Sequence, residues 1–205
     1  MKKSVIMLYS GPTDIYSHIV RLVLAEKGVA AEVVDIDAKS PPTDLVDLNP
    51  YNTFPTLVDR DLVLYEANII AEYLEERFPY PPLLPVYPTA RAKCRLMTHR
   101  IDRDWIKLIA KIQNSIKEES NEARKTLLDH LITLDPVFAE MPYFLSEEFT
   151  IVDCCLAPLL WRLPSLSIRV PEQAKAVHEY ANRMFMRNTF KNSLSELEKE
   201  LRESK

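Results

Sequence analysis

Apolar positions fall first into short compact runs and later into stripes at helical spacing. Val5–Tyr9 is an unbroken apolar run suited to a buried strand. Tyr16, Ile19, Val20, Val23 and Leu24 then recur at helical spacing, and the pattern stops at Gly28, a residue suited to the position after a helix. Ala31–Ile36 predicts a second strand, and the polar stretch after it contains Pro41-Pro42 and a helical turn at Asp44–Leu48. Thr56–Val58 and Leu62–Tyr65, joined by Asp59-Arg60-Asp61, predict a hairpin. Glu66–Phe78 predicts an amphipathic helix carrying Ile69, Ile70, Tyr73 and Leu74. The order is β-α-β, a connection, then β-β-α.

Residues 79–88, PYPPLLPVYP, hold five of the fifteen prolines, a density that no helix or central strand survives. The stretch reads as a stiff linker between a domain at 1–78 and another at 89–205. Beyond it every pattern is helical. Met97, Ile101, Trp105, Leu108, Ile112 and Ile116 predict one apolar stripe on a long helix. Glu122–Thr133, the almost wholly apolar Thr150–Leu163, Ala174–Arg187 and Phe190–Arg202 complete a helical half.

Charge and composition narrow the chemistry. Residues 1–88 carry 7 basic and 13 acidic side chains, and residues 89–205 carry 19 and 17. The net charge of -4 gives no bulk argument for nucleic acid. Two glycines, Gly11 and Gly28, leave no glycine-rich phosphate loop. His18, His99, His130 and His178 are scattered without metal spacing, so neither a metal nor another cofactor is expected. The adjacent Cys154 and Cys155 read as buried thiols. Lacking a disulfide framework, a signal-peptide core or a membrane-length apolar run, the chain is expected to be cytoplasmic.

Two motifs sharpen the fold. FPTL at 54–57 sets Pro55 at the entrance of a strand, where a cis bond would turn a backbone edge outward. TIVD at 150–153 fits a capping box ahead of the apolar helix. NPxxxxPTL at 49–57, the segment from Glu66 to Ile70 and this capping box occur in an order and spacing that resemble the glutathione S-transferase superfamily over essentially the whole chain. Longer stretches, SGPTDIYSHIVRLVLAEKG at 10–28 and EYLEERFPYPPLLPVYP at 72–88 among them, resemble a bacterial, transcription-associated branch of it. The resemblance implies an α/β thioredoxin-like N-terminal domain, an all-α C-terminal domain and a dimer that binds RNA polymerase under stress.

The stretch YSGPTDIYSH at 9–18 looks rich enough for catalysis. A glutathione transferase needs a hydroxyl or thiol near the start of the first helix to hold the glutathione thiolate. Counted back from Arg21, the position where related classes place Ser or Cys falls on Asp14. An ionised Asp accepts hydrogen bonds and repels a thiolate, and its ordinary role there is an N-cap. Tyr9 reads as core, Ser10 as part of a turn and His18 as an exposed helical histidine. In the family Glu66 would be followed by Ser or Thr, whereas position 67 is Ala, and Glu66 itself reads as a helix cap. Asp14, Phe54, Pro55, Glu66 and Ala67 therefore read as a degenerate glutathione pocket with no catalytic residue. The alternative is an active glutathione S-transferase or glutathione-dependent isomerase.

The resemblance also implies a partner surface at Pro79, Tyr80, Pro81 and Pro82, with RNA polymerase holoenzyme, its sigma factor included, as the partner. Bracing between the domains is the competing reading. The subunit is expected as a homodimer or paired with a related subunit. Separately, Arg91, Arg95, Arg100, Arg103, Lys107 and Lys111 recur along the helix after the linker. They read as an anion-binding face for a phosphate-rich ligand, such as a small phosphorylated effector, or an acidic partner, or as an ordinary solvated face paired with Asp102 and Asp104.

Overall fold

The computed structural model describes residues 5–37 and 43–203; the predicted Pro41-Pro42 connection lies outside them. The first part is a four-stranded sheet in the order β2-β1-β3-β4. β1 (Ile6–Ser10) pairs in parallel with β2 (Ala31–Asp35), Ile6 opposite Ala31. It pairs antiparallel with β3 (Thr56–Asp59), Tyr9 opposite Thr56, and β3 turns back into β4 (Leu62–Tyr65). The parallel pair requires a crossover, which α1 (Ile15–Glu26) supplies. Lys27 is the C-cap of α1, and Gly28 comes next at φ 61 in the left-handed region, where glycine escapes the Cβ clash. α2 (Thr43–Leu48) leads into β3, and α3 (Ala67–Arg77) comes after β4 and packs beside α1. Leu8, Val20, Val23, Leu57, Ile70 and Leu74 form the core between sheet and helices. Burying each such side chain contributes about 1.5–3 kcal/mol.

The second part is helical: α4 (Pro88–Ile101), α5 (Lys107–Asn114), α6 (Lys117–Thr133), α7 (Asp135–Glu140), α8 (Ile151–Arg162) and α9 (Lys175–Met186). α4 and α5 are joined by a π-helical turn, Asp102–Ile106. Across that turn the predicted stripe holds at Ile101, Trp105 and Ile112, all buried, and α5 ends at Asn114 before Ile116. Ile106 and Ile109 are buried beside them, which widens the apolar face. Ile116, expected on the stripe, is 66% exposed at the start of α6. The box on α8 forms: Thr150 Oγ1 caps the first turn and Asp153 Oδ2 accepts from Thr150 N at 2.8 Å.

α10 (Asn188–Ser193) and α11 (Glu196–Glu203) stand where one helix over Phe190–Arg202 was predicted. Two compact units result, and they do not obey a single cut at the linker. One comprises Met1–Pro82 with Thr189–Glu200, the other Leu83–Asn188 with Leu201–Lys205. The reason is a buried polar cluster that binds residues 189–200 to α1: His18 and Arg21 both reach Ser193 and Glu198.

Candidate functional site

Every buried side chain of the opening stretch is occupied. Asp14 is the N-cap of α1, its Oδ2 accepting from Ser17 N at 2.7 Å. Ser17 Oγ in turn accepts from Gly11 N at 3.0 Å. Ser10 closes a strand instead of lying in a turn, buried and accepting from Arg21 Nη1. Tyr9 is half-buried at the strand end. The expectation of an exposed His18 is overturned, since it is fully buried. Its Nε2 meets Ser193 Oγ at 3.0 Å, and its Nδ1 stands 3.5 Å from Glu198 Oε1. Because Ser193 Oγ donates to Phe190 O at 2.7 Å, it accepts from His18 Nε2. Arg21 donates to Glu198 Oε2 at 2.6 Å and to Ser193 O at 2.9 Å. No local sequence signal could reveal these partners, because they lie far along the chain.

The loop before β3 is organised by buried Asn49. Its Nδ2 donates to Thr53 O and Thr56 Oγ1, both at 2.9 Å, and its Oδ1 accepts from Tyr51 N at 3.0 Å. Phe54-Pro55 is cis, as the motif suggested. The Phe54 ring lies directly on Gly11: a Cβ there would stand 2.5 Å from ring atom Cε2 and 2.8 Å from Asp14 Cβ. Glu66 does not cap α3 as expected. It is exposed at φ 72 and makes no side-chain capping bond, and Ala67, buried behind it, brings no hydroxyl. This donor set does not fit a glutathione thiolate. At the start of α1 a thiolate would meet a carboxylate that already accepts an amide, and two such charges 4 Å apart repel by about 4 kcal/mol at an effective dielectric of 20.

The linker presents a different surface. Pro79, Pro81 and Pro82 are exposed, Tyr80 is 82% exposed and Tyr80-Pro81 is cis. Beneath them Lys27 is buried, paired with the Glu75 carboxylate, and its Nζ donates to Pro81 O at 2.6 Å. Sequence reasoning missed Lys27, which beside Gly28 reads as an ordinary basic residue at a helix end. A cavity of about 590 Å³ adjoins, lined by Lys27, Arg60, Arg77, Phe78, Pro79 and Tyr80 among others.

Much of the predicted basic face is locally neutralised. Asp104 accepts from Arg103 at 2.9 Å, which with its charge and that of Arg100 holds the carboxyl below its usual range although burial opposes it. Arg100 stands 3.9 Å from Asp104 and Lys107 4.0 Å from Asp102. Lys111 and Arg95 are exposed and Arg91 half-buried. Among the described residues no group of His, Cys, Asp and Glu could hold a metal, and no helix is long and apolar enough to cross a membrane.

Family models place this geometry among known proteins. The glutathione S-transferase N-terminal domain model matches residues 4–76 and the C-terminal domain model residues 96–188. A stringent starvation protein A homolog of Coxiella burnetii is 54% identical over 99% of this chain and 98% of its own. One from Haemophilus influenzae is 50% identical over 95% and 92%. Among solved structures, glutathione transferase Omega 3C from Trametes versicolor superposes with a TM-score of 0.82 at 26% identity, over 93% of this chain and 89% of its own. Rice GST1 in complex with glutathione gives 0.85 at 23%, over 98% and 96%, a likeness of fold alone.

Proposed function

We propose a non-catalytic role in transcription for this chain, which belongs to the glutathione S-transferase superfamily and, within it, to the stringent starvation protein A homologs. It acts in the stress and starvation response by docking on RNA polymerase holoenzyme as part of a dimer, through Pro79, Tyr80, Pro81 and Pro82. The observation that carries the docking surface is Lys27. A buried ammonium, paired with Glu75 and donating to Pro81 O, fixes the linker backbone while Tyr80 stays in solvent. A surface held in place before binding loses little entropy on docking, and Tyr offers a large contact with few torsions. The names of the relatives support the starvation role. Asp14 and Ala67 support the absence of catalysis, because neither supplies the donor that a bound thiolate requires.

The test is a polymerase pull-down with the wild-type chain and with Pro79, Tyr80 and Pro81 replaced together by Ala. Loss of retention is expected, and unchanged retention would overturn the docking surface. Glutathione resin and a thiol-conjugation assay test the catalytic half: no turnover above background is expected, and robust turnover would return the chain to the transferases.

A further inference from the structure

We propose that the second compact unit holds a binding site for a small amphipathic carboxylate, in the cavity between the end of α8, the loop after it and α9. The cavity measures about 620 Å³, within the size range of ligand sites. Leu160, Leu163, Ile168, Val177 and Phe185 supply an apolar floor. Ser167, at φ 60, shapes the loop wall and adds a hydroxyl. The polar lining has one sign of charge. Arg169 and Arg202 supply it, His178 adds an imidazole, and no lining residue is acidic.

Arg202 is the sharpest feature. Its guanidinium lies 4.5 Å from the Trp161 ring centroid and 4.4 Å from that of Phe185. Ring faces attract a cation but accept none of its N–H bonds in the plane of the fork, where a carboxylate fits. Among the described residues no carboxylate pairs with it, and burial alone lowers its pKa, the direction expected of a cation short of compensating charge. Arg169 is exposed at the same cavity. An apolar body would displace water from the floor, and an anionic head would meet the two guanidinium groups. A neutral ligand gains only the first.

Calorimetric titration of the full chain with octanoate and with octanol separates the two contributions. Saturable octanoate binding is expected, with octanol at least roughly tenfold weaker, the ratio set by hydrogen bonds to a charged group. Arg169→Gln, at an exposed position that leaves the rings untouched, and Arg202→Gln should each weaken octanoate roughly tenfold while leaving octanol within about twofold. No saturable octanoate binding, equal affinity for the two ligands, or an octanoate affinity unchanged in both variants would overturn the site.

Discussion

Arg21 and Glu198 meet in the interior of the first unit, Nη2 to Oε2 at 2.6 Å, across 177 residues of sequence. Both are buried, and the carboxylate also accepts from Ser195 N at 3.0 Å. Removing one member of such a pair leaves an uncompensated buried charge. Glu198→Ala should therefore cost about 3–5 kcal/mol in urea unfolding. The double replacement Arg21→Met with Glu198→Leu should recover part of that loss, since it removes both charges but leaves Ser193 O and Ser195 N without these partners. Equal losses in the single and double variants would show that the cation is not what Glu198 compensates.

Gly11 offers a steric test. Gly11→Ala sets a Cβ against the Phe54 ring and Asp14 Cβ, and overpacking of this kind costs about 1–3 kcal/mol. Adding Phe54→Leu should restore part of the Tm by opening the ring position. A Tm unchanged by Gly11→Ala alone would mean that the loop yields freely.

Asp153 carries a pH signature. It accepts from Phe144 N at 3.0 Å, Thr150 N at 2.8 Å and Tyr180 OH at 2.6 Å, yet burial outweighs these bonds and raises its pKa. A raised folded value means that folding takes up a proton. The stability linked to this group is full below its unfolded value near pH 4 and is lost as pH rises through the folded value. Asp153→Asn should flatten the part of the stability profile that falls as pH rises above about 4, measured by urea unfolding at stepped pH. An unaltered profile would assign the slope to other carboxyls.

Thiol labelling should divide the three free cysteines. Burial pushes the Cys155 thiol up to about 12, Cys154 is buried beside it, and burial raises the half-exposed Cys94 as well. The native chain should label slowly at Cys94 alone, with a rate still climbing above about pH 9 because little thiolate exists below it. All three should label in denaturant. Fast labelling of Cys155 in the native chain would contradict its enclosure.

Local signals carried most of the fold. The hairpin, the α1 stop at Gly28 and the Thr150 box were legible because each depends on residues within a few positions of one another. The end of α5 at Asn114 left no such mark, so the stripe read as running on through Ile116. His18 read as exposed because Ser193 and Glu198, which enclose it, lie far along the chain, and the positive φ of Glu66 has no mark in the residues beside it. The candidate site was half legible. Asp14 and Ala67 announce what they lack, whereas Lys27 gains its role only when the linker carbonyl of Pro81 is folded over it.

The return of Thr189–Glu200 to the first unit sets an order on biosynthesis. A ribosome delivers α1 early, but the carboxylate that Arg21 needs emerges 177 residues later. Until then Arg21 and His18 have no buried acceptors from the C-terminal segment, and the sheet with its two covering helices waits unfinished while the helical unit is made. Domains made first usually fold first. In this chain the N-terminal unit is closed only by a segment made after α9.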